Sequence, residues 1–346
     1  MAELAELTEL PLDIIDEILS RMPLIGYISG RPNQPSILSF LHINELKEQT
    51  PETNSVMEFR CQKSLMVLGS CNGLLYLSQN HDNDMINDMT TLVVIDPLRK
   101  ERYELPPIDI MLGEYFQESC GLCFDDSTNT FKMVCVVVRN HATWQMKLAD
   151  VRKNLRTMVH VLGTNSWIEI PQVPDYPITG EGVFSHGYMY WLAACVDESP
   201  NNDPRKVIWF NVKKEEFGWI DLPKETQTQD ESFISHRLVD LHGELGYEYM
   251  CNNIEVWVLK KKEWVVYCRV DQKPPFPHQE IMVLGQWNKK GDLLMTNNPW
   301  EKSLPKRLFV YGQESGEIHE VKLVGWENGW EGDIRMYQSS RFTIHG

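Results

Sequence analysis

Residues Val207–Pro223, VIWFNVKKEEFGWIDLP, contain the pattern that decides the fold of this chain. A short apolar run, a polar turn and a second run with an aromatic residue end in Leu-Pro. Such runs, separated by turn residues, predict two antiparallel strands joined by a hairpin. Four variants of the phrase occur elsewhere: Thr91–Pro107 (TLVVIDPLRKERYELPP), Val159–Pro171 (VHVLGTNSWIEIP), Ile254–Val270 (IEVWVLKKKEWVVYCRV) and Leu308–Leu323 (LFVYGQESGEIHEVKL).

The spacing of the five copies is typical of a repeat protein. Equivalent points in successive copies lie 45 to 64 residues apart, and kelch-type propeller blades recur at roughly 50. A further strand pair precedes the copies, for example GVFSHGYMYWLA at Gly182–Ala193, so each unit has the four strands of a blade. The sequence therefore predicts a mainly β fold, a kelch-like β-propeller of five to seven irregular blades over residues 64–346, almost free of helix.

Tryptophans occur both inside and outside the repeated phrase. Those at the equivalent points are predicted to pack between blades: Trp167, Trp219 and Trp264. The others are candidates for exposed positions on the rim, where tryptophan favours binding: Trp287, Trp300, Trp326 and Trp330.

The N-terminal stretch Leu10–Pro23, LPLDIIDEILSRMP, has a different, helical period. Its apolar residues recur at the spacing of one helix face, and its acidic residues cluster near the start, where they suit the helix dipole. Pro11 can open such a helix and Pro23 ends it, so a helix is predicted at about 11–22. Three turns are too few to be stable alone in water, so this face must dock onto another surface.

Composition excludes several classes of partner. The net charge of −16 argues against nucleic acid and anionic membranes, because both attract cationic proteins. No apolar run approaches the roughly 18 residues of a membrane span. Of the eight cysteines, Cys120 and Cys123 form the one Cys-x-x-Cys, and no second pair completes a zinc site. They are predicted to be two thiols on one face of a buried strand, in a protein of the reducing cytoplasm or nucleus.

Motifs that resemble catalytic sites have simpler interpretations. Gly69–Gly73, GSCNG, places a cysteine where a nucleophile elbow has its nucleophile, but a strand and not a helix follows, and Asn-Gly predicts a hairpin turn. Asp125 and Asp126 precede Ser-Thr-Asn-Thr and predict another turn. Gly180–Gly182 is too short to hold a phosphate. We therefore predict no catalytic residue, no metal site and no cofactor.

Taken together, these stretches resemble plant F-box proteins that carry an F-box-associated, kelch-like interaction domain. LPLDIIDEILSRMP is similar to the opening of an F-box. SLMVLGSCNGLLYLSQ, the repeated phrases and GLCFDDSTNTFKMVCVVV follow in the family's order up to about Leu323. In the family, further F-box helices follow the first one. Here LIGYISGRPNQPSILSFLHINEL replaces them, so the F-box is truncated after its first helix.

The resemblance implies a non-catalytic substrate-recognition subunit of an SCF ubiquitin ligase, which binds a Skp-type adaptor and through it cullin, while the propeller binds an unknown target. It implies a partial F-box at 1–30, a connecting segment at 31–63 and the propeller at 64–346. The alternatives are a propeller interaction module uncoupled from the ligase and a propeller enzyme, for which no motif is present. The residues expected to contact the adaptor are Leu10, Pro11, Ile14, Ile15, Ile18, Leu19, Met22 and Pro23.

Overall fold

The described part of the chain is almost entirely β-structure. The computed structural model describes residues 24–29, 36–44, 52–61, 65–79, 91–97, 99, 101–108, 119–138, 147–194, 205–224, 235–251, 253–270, 279–299, 306–323 and 333–337. They form 24 strands and one short helix, α1, at Leu148–Asn154. No helix among the described residues has the length and apolar character needed to cross a bilayer.

Four sheets of four strands follow one another along the chain, and each is an antiparallel meander. The first has β4 (Leu65–Cys71), β5 (Leu74–Gln79), β6 (Thr91–Asp96) and β7 (Glu101–Glu104). The second has β8 (Cys120–Asp125), β9 (Thr130–Val138), β10 (Leu155–Val161) and β11 (Ile168–Ile170). The third has β12 (Ile178–Ser185), β13 (Tyr188–Ala193), β14 (Lys206–Asn211) and β15 (Glu216–Asp221). The fourth has β16 (Ser235–Leu241), β17 (Glu244–Met250), β18 (Ile254–Lys260) and β19 (Glu263–Val270).

The fifth sheet is a double blade of eight strands. One half is the meander β20 (Gln279–Gln286), β21 (Leu293–Pro299), β22 (Leu308–Tyr311) and β23 (Ile318–Leu323). The other half joins the two ends of the described chain: β24 (Asp333–Tyr337), β1 (Leu24–Ser29), β2 (Ser36–Asn44) and β3 (Glu52–Cys61). A short parallel pairing of Lys322 with Glu52 and Leu323 with Thr53 connects the halves.

The sheets close into a ring around their innermost strands. The inner strands β4, β8, β12, β16, β20 and β24 contact one another in this order, and β24 contacts β4. Tyr337 on β24 is fully buried and donates its hydroxyl to the main-chain oxygen of Gly73, 2.7 Å away, beside the first blade. The prediction of a mainly β propeller is thus confirmed, and the five sheets lie within the predicted range of blades.

The region expected to hold the end of the partial F-box and the connecting segment contains strands. β1 lies within 1–30, and β2 and β3 lie within 31–63. β1 pairs with β24, so the C-terminal strand completes a blade that begins near the other end of the chain. This pairing joins residues about 300 positions apart, and no repeated phrase marks it. The strands β1, β2 and β3 therefore contribute to the propeller.

The hydrophobic core is a series of layers between neighbouring blades. Between the second and third blades, Val134 and Val159 pack with Trp191 and Phe210, all with side chains that are almost completely buried. The third and fourth blades share another layer around Tyr247 and Leu245. Because the middle strands carry apolar residues on both faces, each blade can bury both of its sides. This packing between neighbouring blades holds the inner strands around the central axis.

Aromatic residues at the rim connect adjacent blades, as predicted for two of the three repeat tryptophans. Trp167 donates its indole N–H to the main-chain oxygen of Pro106 at 2.7 Å, and Trp264 donates to that of Asp221 at 2.8 Å. Both acceptors lie at or near the Leu-Pro ends of the preceding phrase. Trp219 does not pack this way: its side chain is 43% exposed, and the ammonium of Lys206 lies 3.5 Å from the ring centroid.

The prediction for Trp219 was wrong because the hairpin turns differ in length. In the fourth blade Lys260 pairs with Glu263, and Trp264 is the first residue after this pair. In the third blade Asn211 pairs with Glu216, so the residue in the corresponding register is Phe217. Phe217 lies against the buried Phe210, with ring centroids 4.8 Å apart. Because the turn in the third blade is two residues longer than the turn in the fourth, the aromatic residue that faces the core is Phe217 and not Trp219.

The hairpin interpretations of the catalytic-like motifs hold. Asn72 and Gly73 have positive φ values of 44° and 80°, as a tight hairpin between β4 and β5 requires. Asp125 accepts hydrogen bonds from the main chain and the hydroxyl of Ser127, at 3.0 and 2.6 Å, and caps the turn between β8 and β9.

The side-chain arrangement predicted for Cys120 and Cys123 is wrong. Both thiols are buried in β8, but Cys120 packs in the layer shared with the first blade and Cys123 in the layer shared with the third. Residues three apart on a strand face opposite sides, since side chains alternate along it. The two thiols therefore cannot ligate one metal ion.

Candidate functional site

A cavity of about 280 Å³ lies among the inner strands and is the candidate binding site. Its walls come from five of the six inner strands, β4, β12, β16, β20 and β24, whereas β8 contributes no lining residue. Asn72, His242 and Gly243 belong to hairpin turns and line it as well. The cavity therefore extends to the end of the propeller where the first and second strands of the blades are joined, which we call the hairpin face.

The charged groups of the walls are mostly paired between strands. Arg335 on β24 forms an ion pair with Glu181 on β12. The two side chains join strands that are not neighbours in the ring, and both belong to the walls of the cavity. Glu181 lies in the Gly180–Gly182 stretch, which is part of β12 and forms no phosphate-binding loop.

A second cluster lies around Arg237 on β16. Its guanidinium is 3.1 Å from a carboxylate oxygen of Glu248 and 3.3 Å from one of Glu280. Glu248 is only 1% exposed, and both of its oxygens accept from the main-chain N–H of Val283 at 3.1 Å. Burial raises the pKa of Glu248 to about 7, although Arg237 and the Val283 N–H oppose the shift. One cation here serves two carboxylates.

Asp240 is the wall carboxylate that has no ion pair with a lysine or arginine among the described residues, and His242 lies near it. One oxygen accepts from the main-chain N–H of Gly243 at 2.6 Å, in the turn that follows β16. The residue is exposed to solvent, although many protein atoms lie around its carboxylate. The resulting desolvation raises the pKa of Asp240, while the Gly243 N–H and His242 lower it only in part.

Two polar contacts lie on the hairpin face beside the cavity, between the turns of the third and fourth blades. Ser185 donates its hydroxyl to the main-chain oxygen of Gly243 at 2.6 Å, so the turns of the third and fourth blades are joined. His186 and Glu244 lie on the same turns, with 3.1 Å between the imidazole Nε2 and a carboxylate oxygen. Both side chains are exposed. The rim of the site is therefore polar and accessible.

The chemistry available in the cavity is that of binding. Cys71 lies in the wall, but burial raises the pKa of its thiol well above the usual value, so the thiol is protonated and a poor nucleophile at neutral pH. Among the described residues no group of three or more His, Cys, Asp or Glu side chains is placed to hold a metal ion. What remains is a small space whose walls hold two carboxylates, two guanidinium groups and one imidazole: Glu181, Asp240, Arg237, Arg335 and His242.

Some site residues predicted from the sequence lie outside the described part of the chain. This holds for the whole adaptor-binding set: Leu10, Pro11, Ile14, Ile15, Ile18, Leu19, Met22 and Pro23. It also holds for Trp300, Trp326 and Trp330, whereas Trp287 is buried and is no rim contact. The cavity residues were missed. A usable signal existed, since Arg237 and Asp240 are charged residues in a strand, SHRLVDL, that also contains three apolar residues.

Comparison with known proteins adds evidence from the whole sequence. The family model described as an F-box associated beta propeller domain matches residues 31–345. The F-box protein At3g07870 of Arabidopsis thaliana is 23% identical, over 75% of this chain and 72% of its own. The putative F-box protein At5g50220 of the same plant is 20% identical, over 90% of this chain and 74% of its own.

Solved structures with a similar fold are more distant in sequence. TolB from Acinetobacter baumannii aligns over 93% of this chain and 70% of its own, with 10% identity and a TM-score of 0.48. A chain from a study of two prolyl endopeptidases aligns over 99% of this chain, with 14% identity and a TM-score of 0.44, and this chain spans 55% of it. The comparison of sequences is therefore the informative one.

Proposed function

Because this chain belongs to the family of F-box associated beta propeller domains, we propose that it is the substrate-recognition subunit of an SCF-type ubiquitin ligase. The observation that supports this proposal most strongly is the family match, which covers nearly the whole chain. Two relatives that match over most of the chain are themselves named as F-box proteins. In this role the protein contributes no reacting group. It raises the effective concentration of the target's lysines near the conjugating enzyme.

The proposed contact with the Skp-type adaptor, and through it with cullin, lies in the apolar stripe of Leu10–Pro23. The strands β1, β2 and β3 lie in the part of the sequence where the remaining F-box helices would follow. The stripe must therefore bind without those helices, and ordering it on binding consumes part of the gain from burying it. We propose that the adaptor is bound weakly, and that the protein works in the cytoplasm or the nucleus.

The proposed target is a basic protein, because the acidic surplus is concentrated in particular connections. Residues 80–90, 109–118, 195–204 and 225–234 each contain three acidic residues and no lysine or arginine. Each follows the second or the fourth strand of a blade in the sequence, and the described second and fourth strands end at the face opposite the hairpin turns. A field of this sign accelerates encounters with a positively charged partner.

Co-purification with the adaptor tests the proposal. The full chain and a variant without residues 1–23 are each co-expressed with a tagged Skp-type adaptor, and the captured protein is quantified. We expect capture of the full chain and loss of capture with the truncated chain. Equal recovery of both, or of neither, would contradict the role of the N-terminal segment. If neither the full chain nor the truncated chain is captured, the result would favour an interaction module that is uncoupled from the ligase.

A further inference from the structure

We infer that the outer edge of β19 binds the same edge of a second copy of this chain, so that two propellers pair through antiparallel β19 strands. β19 is the last strand of the fourth blade, and among the described strands it pairs with β18 alone. An edge strand presents unpaired main-chain N–H and C=O groups, which form a template for a further strand. The inference concerns the rim of the propeller and does not depend on the proposed ligase role.

The edge of β19 lacks several features that keep other edge strands from pairing. Proteins commonly protect an edge by making the strand very short or by placing proline or lysine on it. β19 has eight residues, EWVVYCRV, without proline or lysine. Two adjacent valines near its centre are exposed, Val265 by 48% and Val266 by 39%. A second strand that covers these valines removes apolar surface from water, which favours pairing.

The register of β19 determines which main-chain groups point to the free edge. Lys260 pairs with Glu263 across a two-residue turn, so this closing pair is hydrogen-bonded. Hydrogen-bonded and non-hydrogen-bonded pairs alternate along an antiparallel ladder. The main-chain groups of Trp264 and Val266 therefore point away from β18. In a two-fold pair centred on Val266, the two copies of this residue exchange N–H and C=O groups across the axis.

Two-fold pairing about Val266 also brings opposite charges together. It places Glu263 of each copy opposite Arg269 of the other, because both residues lie three positions from Val266. These are the two charged residues of β19, and both are exposed. Arg269 Nε already lies 3.0 Å from a carboxylate oxygen of Glu255 on β18, and a guanidinium group has enough donors for both carboxylates. Opposite charges directly across a sheet stabilise the pair.

The outer strands of the other blades do not offer such a pairing. β11 has three residues and β7 has four. A two-fold axis through the middle of β7 would place Glu101 opposite Glu104, and one through the middle of β15 would place Glu216 opposite Asp221. Like charges directly opposite each other destabilise a strand pair. β23 is partly covered by β3. The complementary edge is therefore specific to β19.

The pairing leaves both ends of each propeller accessible. Because the two β19 strands are antiparallel, the hairpin faces of the two copies point in opposite directions. The bulge at Tyr267, where the register shifts between Val256 and Trp257, increases the local twist and shortens the shared ladder. We expect a Kd on the order of 10 µM, because small interfaces bind weakly.

Sedimentation equilibrium of the full chain, between about 1 and 100 µM, tests the inference. We expect the weight-average mass to rise with concentration from the chain mass of 40.3 kDa toward twice that value. Val266→Lys places two ammonium groups beside the two-fold axis and should weaken self-association at least about tenfold. The matched control Ile168→Lys, at a position of β11 that is 58% exposed, should leave self-association unchanged.

Two charge reversals test the register itself. Glu263→Arg leaves two cations on the edge and Arg269→Glu leaves two carboxylates, so each variant alone repels its own copy. An equimolar mixture of the two variants restores both pairs of opposite charge, and we expect it to form mixed dimers. A full chain that stays monomeric at the highest concentration, a dimer unaffected by Val266→Lys, or a mixture that does not associate would overturn the inference. The adaptor takes no part in these measurements, so their failure is distinguishable from failure of the proposed ligase role.

Discussion

The indole N–H of Trp264 donates to the main-chain oxygen of Asp221 at 2.8 Å and thereby joins the outer strands of two neighbouring blades. The ring of Trp264 also packs against the fully buried Tyr247, with 5.8 Å between ring centroids. Trp219 has neither feature, since its ring lies exposed beneath the ammonium of Lys206. Two tryptophans from equivalent phrases therefore have different roles.

We expect Trp264→Ala to lower the free energy of unfolding by about 3 kcal/mol, the lower end of the range for large buried aromatics, because the ring is only partly enclosed. The matched control Trp219→Ala should cost less than about 1 kcal/mol, since it removes an exposed ring and one cation–π contact. Urea denaturation measures both values. Equal costs for the two substitutions would contradict the assigned registers.

Lys132 forms an electrostatic connection between the second and third blades. Its ammonium lies 3.0 Å from Asp125 and 3.0 Å from Glu215, and it donates to the main-chain oxygen of Val212 at 3.3 Å. Lys132→Met would leave Asp125, which is 3% exposed, without its cation. We expect a loss of about 3 kcal/mol in the free energy of unfolding, because breaking a buried pair strands the remaining charge.

Two variants decide whether breaking the ion pair of Lys132 with Asp125 causes this loss of stability. Lys214→Met, at an exposed position of the facing hairpin, should change stability little. The double variant Lys132→Met with Asp125→Asn should be more stable than Lys132→Met alone, since no charge is then left buried. A double variant that is less stable than the single one would show that packing, and not charge, explains the result.

Glu248 should make stability fall as the pH rises. Its pKa of about 7 in the folded protein exceeds the ordinary value of 4.5, so the folded state binds the proton more tightly than the unfolded state does. The stabilisation is complete below about pH 4.5 and is lost as the pH rises through about 7. Glu248→Gln should remove this contribution. The difference in unfolding free energy between the two proteins is measured from pH 5 to pH 8.

The contributions of other titrating groups to the unfolding free energy cancel in the difference between wild type and Glu248→Gln. His160, whose pKa burial lowers, and Asp240 are present in both proteins. Asp125 has a pKa of about 2, because the hydrogen bonds from Ser127 and Lys132 outweigh the effect of burial, and it titrates below the pH range used. The exposed Glu216→Gln is the matched control. A difference between wild type and Glu248→Gln that does not change with pH would contradict the buried carboxylate.

The sequence predicted the repeated strands because the alternation of apolar runs and turns is local. It could not predict which aromatic residue points inward, because the turn before Phe217 is longer than the turn before Trp264. It also missed the pairing of β1 with β24, since that contact joins distant parts of the chain. Arg237, Asp240 and Glu248 come together from two strands of one blade, and the Val283 N–H that orients Glu248 comes from the next. A single stretch of sequence does not reveal such a cluster.

The most direct test of the proposed ligase role is calorimetric titration of a purified Skp-type adaptor against the full chain. We expect saturable but weak binding, with a Kd on the order of micromolar, because a helix that orders only on binding loses part of the burial energy. Ile15→Asp should abolish this binding, since it places an unpaired charge in the apolar contact, whereas Ser20→Asp adds the same charge away from the stripe and should preserve it. Undetectable binding by the unmodified chain, or equal binding by Ile15→Asp, would contradict the proposed role.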